Sequence, residues 1–175
     1  MLVESYGQET WETVAKAAKV SESDLVSLQT YEDNIALRLV SATSQVLDTP
    51  VDQCLELFGY YWLKRFAPQS FSGVLDATGA DFVKFIGNLN RLHDRITSTF
   101  PSYRPPEFFI EDLGEDHYMI DYISTREGFA PFVKGIFKAI AERFNITLVI
   151  KGQTREEAPS GEHWRFEIET GRIES

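Results

Sequence analysis

Three prolines fall within the six residues Pro101-Ser-Tyr-Arg-Pro-Pro106, and no regular helix can run through them. Proline fixes its own φ and biases the residue before it away from the helical region, so this stretch reads as a stiff, extended crossing. The hydrophobic pattern changes across it. Upstream, apolar residues recur at three- and four-residue steps, the spacing of amphipathic helices; downstream, two alternating segment pairs enclose a single helical one.

Gln8 to Lys19 has helical spacing at Trp11, Val14, Ala15 and Ala18, whereas Met1 to Ser5 carries no clear element and Ser21 to Tyr31 is ambiguous. A helix is predicted from Asp33 to about Leu47, with Ile35, Leu39, Ala42 and Val46 on its buried side. Asp48-Thr49-Pro50 ends it and starts the next, Val51 to Phe66, which carries Phe58, Tyr60, Tyr61, Trp62 and Phe66; Gly59 within it allows close approach. Pro68 to Gly79 reads as loop with a short helical turn. Ala80 to Phe100 reads as one amphipathic helix, with Phe82, Phe85, Ile86, Leu89, Leu92 and Ile96 on its apolar stripe. Beyond the prolines, Phe108 to Glu111 and His117 to Ser124 form a hairpin and Gly128 to Phe144 a helix. Asn145 to Lys151 and His163 to Glu169 form a second hairpin around the polar loop Gly152 to Gly161. Segregated helices and hairpins predict an α+β fold: a helical N-terminal part packed on an antiparallel four-stranded C-terminal sheet with one long helix.

A chain of 175 residues supports one domain, and 43% hydrophobic residues with thirteen Phe give it an interior large enough for an apolar ligand. A net charge of -10 argues against nucleic acid as partner. Cys54 is the single cysteine, no secretory signal is apparent, and no apolar run reaches the ~20 residues of a membrane span, so a cytoplasmic protein is expected. The pairs Glu115-Asp116/His117 and Glu162/His163 lack zinc-site spacing and read as solvated turns, and Cys54 beside Val51 and Leu55 reads as a small core residue. With no phosphate loop or nucleophile elbow, an enzyme is not expected.

Two sets of residues carry chemistry. His93 lies beside Leu92 on the apolar stripe, where a buried imidazole either satisfies both nitrogens or binds a metal; the residues alone leave both open. In an extended chain Tyr122, Ser124 and Arg126 share one face, and two hydroxyls with a guanidinium suit a ligand's carboxylates, although a polar strand end in solvent would look the same.

The run Asn88-Leu-Asn-Arg-Leu-His93-Asp-Arg, Pro106 thirteen residues after the histidine, Tyr122-x-Ser124-x-Arg126, the Gly-Phe-Ala-Pro-Phe segment at 128–132, Leu55 to Trp62 and Tyr6-Gly7-Gln-Glu-Thr-Trp11 together resemble the haem-nitric oxide/oxygen binding (H-NOX) domain family over nearly the whole chain. The resemblance implies a haem b (iron protoporphyrin IX) between the helical part and the sheet, with His93 as proximal iron ligand. Tyr122, Ser124 and Arg126 would hold its propionates, Pro106 would press on its face, and Phe132 and Trp62 would line the pocket with Phe58 and Tyr61. Relatives that hold oxygen carry a tyrosine where Phe132 stands, so nitric oxide, with CO as a further ligand, is the implied gas. The implied mechanism is a switch in which the iron–His93 link breaks and signals to a separate histidine kinase or cyclic-dinucleotide enzyme (diguanylate cyclase or phosphodiesterase). Relatives open with a longer helix beginning Met-Tyr-Gly, so the first family helix reads as truncated, exposing apolar pocket surface. A haem-free interaction module of the same fold is the alternative.

Overall fold

The computed structural model describes residues 1–21, 33–99 and 103–173. The helices upstream of the prolines are α1 (Leu2–Tyr6), α2 (Gln8–Ala18), α3 (Asp33–Leu47), α4 (Val51–Tyr61), α5 (Ala67–Asp76), α6 (Phe82–Gly87) and α7 (Leu89–Thr99). Downstream are β1 (Glu107–Gly114), β2 (His117–Ser124), α8 (Ala130–Arg143), β3 (Ile146–Glu156) and β4 (Glu162–Arg172). The four strands form one antiparallel sheet in the order β1-β2-β4-β3, each hairpin contributing one edge strand.

The predicted α+β segregation is present, with several changes of boundary. Met1 to Ser5 is not without structure: Leu2–Tyr6 is helical, and Gly7, at a φ of 84° that favours glycine, turns the chain into α2. The ambiguous stretch falls mostly on residues 22–32, outside the described residues. The aromatic helix ends as α-helix at Tyr61 and continues through one π-helical turn, Trp62–Phe66, into α5. The stretch Pro68 to Gly79, expected as loop with a short helical turn, is instead largely α5, with Pro68 in its first turn, where a missing N–H is tolerated.

The predicted helix Ala80 to Phe100 is two helices. Asp81 caps α6 by accepting the Lys84 N–H at 2.8 Å. The break comes at Asn88, whose φ, ψ of -101°, 1° lie outside the helical region and whose side-chain amide donates to the Thr78 carbonyl at 2.8 Å. Both halves keep one apolar stripe turned inward, with Phe82, Phe85, Ile86, Leu89 and Leu92 all buried. A core packed along a common stripe is indifferent to a local break, and periodicity cannot reveal one. Strand β3 runs on to Glu156 through an irregularity between Ile150 and Gly152, so residues read as loop pair with β4. Their exposed side chains carry no alternation.

The sheet's inner face presents Phe108, Tyr118, Ile120, Tyr122, Phe166 and Ile168, and α8 lays Val133, Phe137 and Ile140 against it. Phe137 meets Phe108 and Phe166 edge-on, at 6.2 and 5.5 Å between ring centroids. Helix α4 crosses α8 with backbones in contact. A Cβ on Gly59 would lie 2.0 Å from the Phe132 carbonyl oxygen, and one on Gly135 would lie 1.9 Å from that of Glu56. The close approach expected at Gly59 is therefore made by the first turn of α8. Helices α2 and α3 form a smaller cluster of their own around Val14, Ala18, Val20 and Ala42.

Candidate functional site

Helix α7 holds His93 half-buried, one residue past Leu92 on the packed stripe. Its Nδ1 lies 2.9 Å from the Pro106 carbonyl oxygen. A carbonyl only accepts, so Nδ1 carries the proton and Nε2 keeps its lone pair. Burial pushes the imidazole pKa below its ordinary value, against the opposing pull of the Pro106 carbonyl and Asp94, and favours the neutral form. The backbone that supplies this acceptor is fixed nearby. The Asn90 side chain, one turn before His93, donates to the Phe108 carbonyl and accepts the Phe108 N–H, both at 2.9 Å, which ties α7 to the start of β1. The sequence pointed to Pro106 through its ring; the carbonyl contact gives it a second role that residue type does not announce.

Tyr122 and Ser124 are buried on the inward face of β2, as alternation predicts. Burial drives the Tyr122 phenol pKa well above its ordinary range. Arg126 is a correction: β2 ends at Ser124, and Arg126 lies in the following bend, so alternation does not place it. Its own N–H donates to Ser124 Oγ at 3.0 Å, which folds the bend back over the strand end. Its guanidinium lies 5.8 Å from the centroid of the Tyr103 ring. The phenol of Tyr103 is likewise raised by burial, with Arg126 opposing. Tyr103 was missed because an aromatic inside a proline-rich crossing has no partner legible from spacing.

Glu162 is a second correction: rather than half of a solvated acid–histidine pair, it is only 2% exposed and accepts three N–H groups: Gly128 N–H and Trp164 Nε1–H on Oε2, at 2.9 and 3.1 Å, and Phe129 N–H on Oε1 at 3.2 Å. His163 faces away from it, with Nε2 2.6 Å from Asp121 Oδ1, and His117 pairs with Glu167 at 3.2 Å.

Phe132, in the first turn of α8, has Phe58, Phe129 and Trp62 as ring neighbours at 5.3, 6.2 and 6.3 Å, and packs against buried Val40, Cys54 and Leu55. Tyr61 turns elsewhere, its hydroxyl 3.4 Å from Ser5 Oγ. The structure gathers His93, Pro106, Phe108 and Tyr122 on one side and Phe132, Trp62 and Phe58 on another. It does not set Phe132 against His93, whose ring neighbour is Phe108 at 6.1 Å; α8 joins the groups through Phe132 and Phe137.

A neutral imidazole with its Nε2 lone pair available is a single axial donor. That suits a metal whose other ligands come from a macrocycle, and the apolar surroundings suit the macrocycle itself. Two buried hydroxyls and a guanidinium at one strand end are complementary to carboxylates such a group bears. The residues present thus fit a haem.

The family model described as Haem-NO-binding (HNOB) matches residues 1–152. Soluble guanylate cyclase gcy-31 of Caenorhabditis elegans is 28% identical over 147 residues, which are 84% of this chain and 21% of that protein. Soluble guanylate cyclase gcy-37 of the same organism is 25% identical over 177 residues, 97% of this chain and 25% of that protein. The chain thus spans about a fifth to a quarter of the length of these curated relatives. Among solved structures, an H-NOX protein from S. oneidensis in the Fe(II) ligation state superposes with a TM-score of 0.83 at 18% identity, covering 100% of this chain and 92% of that one. A mutant T. Tengcongensis H-NOX superposes with a TM-score of 0.82 at 17% identity, covering 97% and 91%. At these identities the superpositions establish the fold. Among the described residues no helix is long and apolar enough to cross a membrane.

Proposed function

Because this chain belongs to the Haem-NO-binding family, we propose that it is a gas-sensor domain, not itself catalytic, in which His93 would hold a ferrous haem b that takes nitric oxide, with CO as a further ligand. The observation that carries this reading is the tautomer of His93: the Pro106 carbonyl fixes the proton on Nδ1 and leaves Nε2 to a metal. Haem, when bound, would supply an iron that His93 would hold and that could take up a diatomic gas.

The chain's own residues do the rest. Tyr122, Ser124 and Arg126 recognise the propionates, and the cation–π contact with Tyr103 steadies the guanidinium. Pro106 orients the ligand imidazole through its carbonyl and presents its ring to the haem face. Phe132 and Trp62 line the gas side with Phe58. Phe132 has no hydrogen-bond donor to offer a diatomic ligand, which would favour nitric oxide over the more donor-dependent oxygen. His93 would hold the iron. The Asn90–Phe108 pair and the Nδ1–Pro106 contact tie α7 to the start of β1, so a displacement of His93 would be passed to β1. The recipient would be a histidine kinase or a cyclic-dinucleotide enzyme.

Absorption spectra of the ferrous, haem-loaded protein in nitric oxide and in air test the reading. A Soret shift with nitric oxide and no stable oxygen complex in air are expected. A stable oxygen complex contradicts the selectivity, and a chain that takes up no haem is a haem-free interaction module instead.

A further inference from the structure

Glu162 is a carboxylate inside the protein, and its neighbours explain why it is tolerated there. It stands opposite Ser124 across the β2–β4 pair, at the first residue of β4. It is 2% exposed, and both oxygens are occupied by N–H donors. A buried charge is costly unless it is hydrogen-bonded, so a carboxylate that accepts three N–H groups is held firmly by them and holds them in turn. Two of the three belong to Gly128 and Phe129, the residues that lead into α8. Phe129 offers no capping side chain of its own, and the positive end of the helix dipole favours an anion there. Glu162 thus caps α8 from another strand. Its predecessor Gly161, at a φ of 71°, packs so closely that a Cβ would lie 2.0 Å from the Ser124 carbonyl oxygen. The start of β4 therefore grips both ends of the segment 124–129, which carries Arg126 in its middle and delivers Phe132 one turn into α8. The Tyr122 phenol is raised first by burial, lowered by the Ser124 hydroxyl and raised again by Glu162.

We infer that Glu162 is a positioning residue for the carboxylate-recognition end of the site: by clasping the Gly128 and Phe129 amides it sets the bend that presents Arg126 and the helix start that presents Phe132. This inference rests on the reading of Tyr122, Ser124 and Arg126 as the haem carboxylate site. Glu162→Gln is the sharp perturbation, because its amide has one accepting and one donating end. Either the Phe129 N–H or the Gly128 and Trp164 pair must then face an NH2 group.

The test has two arms. In the haem-free full-length protein, hydrogen exchange of the Gly128 and Phe129 amides is expected to quicken about tenfold or more in Glu162→Gln, while Ile120 and Phe166 in the sheet stay protected. In haem titrations, the ratio of affinities for haem and for its dimethyl ester, which lacks the free carboxylates, is expected to fall about tenfold relative to wild type. Glu162→Asp, which keeps the charge, is expected to recover part of that ratio. If Glu162→Gln does not fold, Trp164→Phe, which removes one of the three donors, is expected to lower the ratio in the same direction by a smaller factor. An unchanged ratio with quickened exchange, or unchanged exchange, overturns the inference and leaves the carboxylate site standing. A wild-type protein that takes up haem without preferring it to the ester overturns both.

Discussion

Gly59→Ala places a methyl group 2.0 Å from the Phe132 carbonyl oxygen. Carbon and carbonyl oxygen come into ordinary contact at about 3.3 Å, so α4 and the first turn of α8 must part by about 1.3 Å. The obstacle is backbone in a helix that is itself packed on the sheet, and no side chain can rotate out of the way. Overpacking of this kind costs about 1–3 kcal/mol, and a backbone obstacle belongs at the upper end. Alanine returns about 1 kcal/mol of helix propensity, which leaves a net loss of about 2 kcal/mol. Gly73→Ala supplies the control. It is the same substitution in another helix, α5, where an added Cβ meets nothing within 4 Å, so the propensity gain of about 0.5–1 kcal/mol should appear uncancelled. Thermal unfolding of the haem-free protein, followed by tryptophan fluorescence, reads both. For a chain of this size the pair should differ by roughly 5–12 °C in melting temperature. A Gly59→Ala protein at least as stable as wild type, alongside a normally stabilised Gly73→Ala, would refute the α4–α8 contact and with it the structural basis for where Phe132 sits.

Asn90→Ala removes two hydrogen bonds and leaves the Phe108 N–H and C=O without their side-chain partner, a loss of about 1–3 kcal/mol that thermal unfolding of the haem-free protein will show. Asn90→Asp keeps the acceptor alone and should fall between. Stability should also decline at both ends of the pH range. His93 has a depressed folded pKa, so its contribution is present above the unfolded value of about 6.5 and lost as pH falls towards the folded one. Tyr122 has a raised folded pKa, so its contribution is present below about pH 10 and lost as pH rises beyond it. Urea titrations across pH should therefore show His93→Ala flattening the acid decline and Tyr122→Phe the alkaline one. Identical profiles in all three proteins would contradict both assignments.

What the sequence shows and what it hides follow the same physics. Periodicity reports which face is buried, so the stripe from Phe82 to Leu92 and the inward row Tyr118, Ile120, Tyr122 and Ser124 of β2 were legible. It does not report continuity, so the break at Asn88 and the π turn at Trp62–Phe66 were not. The stretch after Pro68 was not legible as helix, because its Ser, Gly and Thr residues suit loops and a proline can open a helix as well as end one. His93 stood out as an imidazole on an apolar face. Its tautomer did not, because the partner is a backbone carbonyl that any residue at position 106 possesses. Glu162 was hidden because beside His163 it looks like half of a solvated polar pair: a carboxylate at a strand's first residue looks exposed until the chain 33 and 34 residues earlier returns to donate to it.

On this reading, His93 would hold the haem iron through Nε2. His93→Gly leaves a hole of imidazole size, so the direct measurement is the absorption spectrum of ferrous, haem-loaded His93→Gly protein before and after free imidazole is added. The account predicts that the wild-type spectrum is lost on substitution and restored by imidazole, with the Pro106 carbonyl available to orient the added ring. A His93→Gly protein whose spectrum matches wild type without imidazole would contradict it.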